Sequence, residues 1–125
     1  MVIKMIAGVG LDICDVERMK RACASETFCR KVFTPAELSY AGSGESRFLH
    51  LAAAYAVKEA FAKASGLGLG KIGLQNVGVV HDENGRPRLY LNFQHEILKN
   101  YQSAKFHVSV SHDGGIAAAV VICES

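Results

Sequence analysis

Residues 45–65 constrain the fold more than any other part of the chain, because they carry a long helical pattern. The segment is dense in alanine, a strong helix former, and Phe48, Leu51 and Tyr55 recur three or four positions apart. This spacing places them on one helix face. Gly66 follows at once and is a typical helix C-cap. A helix of this length must bury its apolar face, so the remaining elements are expected to pack around it.

Short apolar runs rich in β-branched residues lie on both sides of this helix and predict β-strands. The last two runs flank Asp113-Gly114-Gly115, which predicts a hairpin. Strands first and last with helices between them indicate an α+β fold, with a single sheet packed against the long central helix. The strands are predicted over residues 2–13, 74–81, 88–92, 106–112 and 116–123.

Shorter helices are indicated by the residues that would begin them. Asp15 can cap a helix over residues 16–24. The segment Thr34-Pro35-Ala36-Glu37 has the form of a capping box with proline at the first helical position. A short helix is therefore predicted to begin there, and residues 94–100 are predicted to be helical as well.

The composition predicts one soluble domain spanning residues 1–125. Half of the 125 residues are hydrophobic and 21% are charged, which is enough to build a core. No apolar run reaches the ~18 residues needed to cross a bilayer, and the start lacks the features of a signal peptide. None of the four cysteines lies in a C-x-x-C pair, so we expect reduced thiols rather than a zinc site. The expected location is cytoplasmic, without membrane contact.

Basic residues are concentrated between positions 17 and 31. Five basic residues against two acidic ones leave a local surplus of three positive charges. Phe28 is the main aromatic residue among them, so a nucleic-acid interface is not indicated. The surplus is either a solvated helix surface or a docking site for an acidic partner. The basic residues are Arg18, Lys20, Arg21, Arg30 and Lys31.

Asp12, Glu59 and Lys63 are the residues best suited to chemistry. Asp12 ends an apolar strand, where a carboxylate is costly to bury without a cation or hydrogen-bond donors. Glu59 lies among apolar neighbours, with Lys63 four positions later on the same helix face. Two carboxylates beside a lysine suit a magnesium ion and phosphate oxygens. The alternatives are a helix cap at Asp12 and an ordinary surface ion pair between Glu59 and Lys63.

Ser111, His112 and Asp113 are adjacent in the chain, as in an apparent hydrolase motif. Successive side chains of a strand point to opposite faces, so Ser111 and His112 would diverge rather than form a triad. At the end of a strand they can instead contact a ligand, or simply be solvated.

Together these motifs resemble the holo-acyl-carrier-protein synthases, the small bacterial class of phosphopantetheinyl transferases. The resemblance extends over nearly the whole chain, and the aspartate motif together with K-E-A-x-x-K makes it fairly specific. The matching segments are residues 8–13 (GVGLDI), 33–37 (FTPAE), 56–66 (AVKEAFAKASG), 84–87 (NGRP), 107–112 (HVSVSH) and 117–121 (AAAVV).

The resemblance implies transfer of 4′-phosphopantetheine from coenzyme A to a serine of apo-acyl carrier protein, with release of adenosine 3′,5′-bisphosphate. Asp12 and Glu59 would hold Mg²⁺, with Mn²⁺ as the alternative metal, against the coenzyme A pyrophosphate. Glu59 would also activate the acceptor serine, directly or through water, and Lys63 would neutralise charge. Transfer of this kind depends mainly on positioning and charge stabilisation.

The same resemblance implies a homotrimer with active sites at subunit interfaces. Arg18 and Arg21 would dock the acidic helix of the carrier protein. His112 and the turn at residues 84–87 would line the nucleotide pocket. The implied coenzyme A contacts are Lys63, Gly66, Pro87, Ser111 and His112.

One position departs from the family pattern. The family commonly has an arginine five residues before the helix glutamate, where this chain has Ala54. Arg47, His50 or Lys71 could supply the phosphate contact instead. The alternative function is a non-catalytic module that binds the carrier protein or a nucleotide.

Overall fold

The computed structural model describes residues 4–125, and its longest element is the helix expected from the alanine-rich segment. The order of elements confirms the α+β class. The elements are β1 (Ile6–Asp15), α1 (Val16–Ala22), α2 (Glu26–Val32), α3 (Pro35–Ala41), α4 (Arg47–Ser65), α5 (Leu69–Ile72), β2 (Val77–His81), β3 (Pro87–Leu91), β4 (Lys105–Asp113) and β5 (Ile116–Glu124).

Helix α4 lies at the centre of the core. Leu51, Val57 and Phe61 on this helix are completely buried, and each such side chain stabilises the fold by about 1.5–3 kcal/mol. Gly66 ends the helix at φ 74°, in the left-handed conformation, and its N–H donates to the carbonyl of Ala62. The predicted C-cap is confirmed.

The strands divide between two antiparallel sheets, so the expectation of a single sheet was wrong. One sheet has the strand order β1-β5-β4, and the other pairs β2 with β3. Side chains occupy one edge of β2, because the amide N–H of Val79 donates to Glu37 at 3.0 Å and Lys58 donates to the carbonyl of Val77. These two backbone groups are therefore not available to pair with a further strand.

The predicted helix starts are confirmed. The side chain of Asp15 accepts from the amide of Arg18 at 3.0 Å, and Thr34 and Glu37 exchange the two hydrogen bonds of a capping box at 3.1 and 2.9 Å. Other boundaries differ. Strand β1 continues to Asp15, and positions 2 and 3 of the predicted first strand lie outside the described residues.

Two segments were predicted less well. The strand predicted from position 74 begins at Val77, because a short 3₁₀ helix over Leu74–Asn76 precedes it. The helix predicted over residues 94–100 is reduced to a 3₁₀ helix at Leu98–Tyr101. Helix α2 was not predicted.

Two glycines bring β1 directly against α4. A Cβ atom on Gly10 would lie 1.8 Å from the carbonyl oxygen of Ala60, and one on Gly8 would lie 1.8 Å from that of Ala64. No other residue allows such a close approach of two backbones. Because side chains alternate along a strand, Asp12 faces α4 as the two glycines do.

The opposite face of the same strand is apolar and exposed. Val9, Leu11 and Ile13 are 58%, 61% and 64% exposed. They pair with Ile122, Val120 and Ala118 of β5, which present the same face of the sheet.

A buried ion pair joins α3 to α4. Lys58 Nζ lies 2.7 Å from Glu37 Oε1, and both side chains are 0% exposed. Lys58 also donates to the carbonyl of Leu74 at 2.8 Å. Burial, partly offset by Glu37, lowers the pKa of Lys58. Removing one partner of such a pair would leave an uncompensated buried charge, so the pair fixes the position of α4.

The four cysteines are free thiols, as expected. Cys29 Sγ donates to Cys23 Sγ at 3.0 Å, and burial, followed by this contact, raises the pKa of Cys23 to about 12. The thiol of Cys23 is therefore protonated at neutral pH. Among residues 4–125, no helix is long and apolar enough to cross a membrane.

Candidate active site

Asp12 and Glu59 line one cleft, although they are 47 positions apart in the sequence. This carboxylate pocket lies between β1, α1 and α4, has a volume of about 460 Å³, and is also lined by Arg18 and Tyr55. Asp12 faces α4 because the glycine contact holds β1 against the helix. Glu59 and Tyr55 are one turn apart on α4, so both side chains reach the same cleft.

Lys63 forms its ion pair with Asp12 on β1 rather than with Glu59 on its own helix. Its Nζ lies 3.1 Å from Asp12 Oδ1 and donates to the carbonyl of Leu11 at 2.9 Å. The side chain of Asp12 is 19% exposed and that of Lys63 is 56% exposed, so the lysine end of the pair is open to solvent. This contact replaces the ordinary Glu59–Lys63 surface pair that the spacing alone allowed. The three residues predicted to carry chemistry are therefore brought together.

Tyr55 is a functional candidate that the sequence did not single out. Burial, followed by the neighbouring Glu59 carboxylate, raises the pKa of Tyr55. Its hydroxyl therefore remains protonated at neutral pH and can donate a hydrogen bond inside the pocket.

The donor set of the carboxylate pocket fits a magnesium ion as a partial site. Magnesium commonly takes one or two protein carboxylates and completes its six positions with water and substrate phosphates. Asp12 and Glu59 supply two carboxylates facing one cleft. Across residues 4–125, no cluster of three or more histidine, cysteine or acidic side chains could hold a metal. A metal at this site would therefore need oxygen ligands from a substrate and water.

Pro87 and His112 line a second cavity on the opposite face of α4. This histidine pocket has a volume of about 220 Å³ and is also lined by Tyr40, His50 and His81. His50 and Ala54 face it from α4, whereas Tyr55 and Glu59 face the carboxylate pocket. Within one copy of the chain, the residues expected to contact coenzyme A are thus divided between two places.

Three candidates for replacing the arginine missing at Ala54 can now be compared. His50 lines the histidine pocket together with Ala54, whereas Arg47 and Lys71 do not. The guanidinium of Arg47 donates to the carbonyl of Gly42 instead. His50 is therefore the candidate that shares a cavity with Ala54.

Of the remaining predicted contacts, Ser111, Gly66 and Arg21 lie outside both pockets. Ser111 pairs with Ala118 on the exposed face of the sheet, and its neighbour His112 faces the other way. This divergence rules out a Ser111–His112 catalytic pair within one chain. Gly66 caps α4 without lining either pocket. Arg18 and Arg21 are exposed on α1, and Arg18 reaches the carboxylate pocket.

Comparison with known proteins identifies the class to which this fold and site belong. Residues 8–121 match the family profile of the 4′-phosphopantetheinyl transferase superfamily, and the chain belongs to that superfamily. The resemblance drawn from the motifs is thereby confirmed.

Within the superfamily, the similar proteins are holo-[acyl-carrier-protein] synthases. The chain is 39% identical to that of Syntrophus aciditrophicus (strain SB) over 124 residues, covering 96% of this chain and 97% of the relative. It is 36% identical to that of Geotalea daltonii over 124 residues, covering 96% and 99%.

Solved structures give the same result. The holo-[acyl-carrier-protein] synthase of Neisseria meningitidis superposes with a TM-score of 0.84 at 30% identity, covering 97% of this chain and 100% of that one. The enzyme of Bacillus anthracis str. Ames, in complex with CoA (3′,5′-ADP), gives a TM-score of 0.81 at 30% identity, covering 97% and 98%.

Proposed function

We propose that this chain transfers 4′-phosphopantetheine from coenzyme A to a serine of apo-acyl carrier protein and releases adenosine 3′,5′-bisphosphate. The observation that carries the proposal is the convergence of Asp12 and Glu59 in one cleft, with Lys63 Nζ 3.1 Å from Asp12. Family membership supplies the reaction class.

The proposed step is attack of the serine oxygen on the phosphorus that carries the pantetheine arm. A new oxygen–phosphorus bond forms, and the bond to the bridging oxygen of the pyrophosphate breaks. Glu59 takes the serine proton, directly or through water. Lys63 places a positive charge beside the pyrophosphate. Asp12 and Glu59 would hold Mg²⁺ or Mn²⁺, which neutralises charge on the pyrophosphate when bound.

A homotrimer would unite the two separate pockets. We propose that three copies associate through the exposed apolar face of β1, formed by Val9, Leu11 and Ile13. A contiguous apolar face of this kind is typical of a protein interface. Each active site would then combine the carboxylate pocket of one copy with the histidine pocket of its neighbour, which supplies Pro87 and His112.

Arg18 and Arg21 are proposed to dock the acyl carrier protein. Both are exposed on α1, and Arg18 also lines the carboxylate pocket. An acidic partner held there would be placed beside Glu59, where its serine would be activated. Charges at such a rim raise the rate of encounter and make it sensitive to salt.

The proposed location is the cytoplasm, in line with the four free thiols, which suit a reducing compartment. The proposed unit is one domain over residues 1–125.

Intact mass spectrometry tests the transfer directly. Apo-acyl carrier protein incubated with the chain and coenzyme A should gain about 340 Da through a covalent bond at serine. The gain should require Mg²⁺ and disappear with a chelator. Binding of carrier protein without any mass gain would instead establish the non-catalytic binding module.

Mixing two inactive variants tests the shared site. Glu59→Gln disables the carboxylate pocket and His112→Ala disables the histidine pocket, each nearly abolishing transfer alone. Coexpressed as random trimers, they should recover about a quarter of the parent activity, because one site in four combines two intact pockets. No recovery, in complexes shown to be mixed, would place each site within a single copy.

A further inference from the structure

A third cavity, the β3–β4 groove, lies where the two sheets of the fold meet. Strands β3 and β4 belong to different sheets and are not hydrogen-bonded to each other. Residues 86–89 form one wall of the groove and residues 104–108 form the other, with Phe93 and Gln102 also in the lining. Its volume is about 530 Å³, which exceeds that of either pocket described above. Because both strands are at the edge of their sheet, no strand among residues 4–125 covers the groove.

The groove carries a surplus of positive charge. Four basic side chains line it, namely Arg86, Arg88, Lys105 and His107. The lining contains no carboxylate. Two acids nearby offset part of the charge, because Asp82 lies 3.8 Å from Arg88 and Glu124 lies 2.8 Å from His107. Among residues 4–125, Arg86 and Lys105 form no ion pair. The groove therefore favours an acidic partner.

Apolar surface in the groove favours a protein over a free anion. Phe93 is 39% exposed, and Leu89, Phe106 and Val108 are half-buried in the lining. Aromatic side chains beside arginines are typical of protein interfaces, where the apolar contact adds affinity and the charges add specificity. An acidic protein can use both parts of this surface, whereas a small anion can use only the charges.

The position of the groove connects it to the active site. Pro87 lines both the groove and the histidine pocket, so the two cavities adjoin. Under the proposed function, the histidine pocket of one copy completes the carboxylate pocket of its neighbour. The groove of the first copy would then lie beside an active site whose Arg18 belongs to the neighbour. An acidic protein docked on α1 of one copy would thus be close to the groove of the other.

We propose that the β3–β4 groove is a second docking surface for the acyl carrier protein, contributed by the copy that supplies the histidine pocket. The inference rests on the proposed function. Arg88 and Lys105 bind acidic side chains of the carrier protein, while α1 of the neighbouring copy binds its acidic helix. Two basic surfaces on different copies restrict the orientation of the partner, because a wrong orientation leaves one of them unpaired.

Charge reversal in the groove of the full chain tests the proposal. Arg88→Glu combined with Lys105→Glu should raise KM for acyl carrier protein about fivefold and leave KM for coenzyme A unchanged. The rate of mass gain on carrier protein measures both constants. Since reversal at position 88 places a second acid beside Asp82, Arg88→Ala with Lys105→Ala provides a milder variant, which should raise the same KM by less. Thermal melts should show that both variants are folded.

The matched control is Arg30→Glu combined with Lys31→Glu on α2, which changes the net charge equally outside the groove. It should raise KM for carrier protein much less. An unchanged KM for carrier protein in both folded groove variants would overturn the proposal. So would an equal rise in KM for coenzyme A, which would indicate a nucleotide contact. Loss of affinity for a DNA fragment, with none for carrier protein, would assign the groove to nucleic acid instead.

Mixed trimers show which copy supplies the groove. In trimers of Glu59→Gln and His112→Ala chains, a working site combines the carboxylate pocket of the His112→Ala chain with the histidine pocket of the Glu59→Gln chain. Adding the two groove reversals to the Glu59→Gln chain should raise KM for carrier protein, and adding them to the His112→Ala chain should not. The reverse result would overturn the proposed contact from the neighbouring copy.

Calorimetric titration with apo-acyl carrier protein separates this proposal from the proposed function. Suppose that the parent binds carrier protein without adding mass to it, and that the groove variants bind it more weakly. This result would refute the transferase activity and leave the docking surface standing. Transfer by the parent, with the same KM for carrier protein in parent and groove variants, would refute the docking surface alone.

Discussion

The two pockets on opposite faces of α4 differ in how they can hold a negatively charged substrate. The carboxylate pocket presents Asp12 and Glu59, which repel an anion unless a cation is bound between them. The histidine pocket presents His50, His81 and His112 with no carboxylate in its lining. Under the proposed function, one helix would therefore support two modes of anion binding, of which only one would depend on metal. Changes that remove metal or misplace an acid should affect the first pocket and leave nucleotide binding at the second.

The largest effect is expected from Glu59→Gln. The amide keeps the size of the side chain but loses the charge and the basicity, so we expect kcat to fall about 10³-fold. This fall in kcat is measured as the rate at which carrier protein gains mass under saturating coenzyme A. Glu96→Gln, at an exposed acid outside both pockets, is the control. Full activity of Glu59→Gln would remove Glu59 from both proposed roles.

Gly10→Ala should separate β1 from α4. The new Cβ would lie 1.8 Å from the carbonyl oxygen of Ala60, so strand and helix must move apart, at a cost of about 1–3 kcal/mol of unfolding free energy. Because Asp12 moves with the strand, kcat should fall more than nucleotide affinity does. Urea denaturation and the transfer assay measure the two effects.

Gly68 provides the matched glycine control. It has nothing within 4 Å of an added Cβ and an extended backbone at φ −76°. Gly68→Ala should change stability by less than about 0.5 kcal/mol. If Gly68→Ala lost as much unfolding free energy as Gly10→Ala, the backbone contact of Gly10 would not be the cause of the destabilisation.

Reversing charge on α1 should change carrier-protein binding selectively. Arg18→Glu combined with Arg21→Glu should raise KM for acyl carrier protein about tenfold, with much less effect on KM for coenzyme A. The salt dependence of kcat/KM should also weaken, because fewer charges attract the partner. The control is Arg30→Glu combined with Lys31→Glu on α2, which makes the same change in net charge away from the pocket and should raise KM for acyl carrier protein much less. An equal rise in both KM values would indicate a nucleotide contact or a folding defect.

The smallest expected effect concerns acid stability at His81. Burial lowers its pKa in the folded state, so the unfolded chain binds more protons between that pKa and the ordinary value near 6.5. Stability contributed by this residue therefore rises with pH across the window and is lost on acidification. His81→Phe should reduce the difference in Tm between pH 7.5 and pH 5 by about 1 °C. A larger difference in Tm for His81→Phe than for the parent would show that His81 does not contribute stability that is lost on acidification.

Local signals in the sequence predicted the helix ends well. Asp15, Thr34 and Gly66 act through bonds to residues within four positions, so their effect does not depend on the rest of the fold. Asp12 and Glu59 were each chosen from their own surroundings in the sequence, but only the family resemblance implied that they share one site, because their proximity depends on the packing of β1 against α4.

Several features that the sequence did not predict depend on distant neighbours. The contacts of Glu37 and Lys58 with the edge of β2 are one example, because no local pattern encodes them. Tyr40 and His81 stack at 3.6 Å although 41 positions separate them. The histidine pocket was therefore only partly predicted, through His50, the turn at residues 84–87 and His112.

The strand order β1-β5-β4 has a consequence for the protein as it is made. Within residues 4–125, the strand that carries Asp12 pairs in its sheet only with the segment Ile116–Glu124, so it lacks this partner on the ribosome until that segment has emerged. Val9, Leu11 and Ile13 spend nearly all of synthesis as an unpaired apolar strand, which is a template for misassociation. Nascent chains halted before residue 116 should therefore need chaperone protection, and they should lack a formed carboxylate pocket even though Asp12 and Glu59 have already been translated.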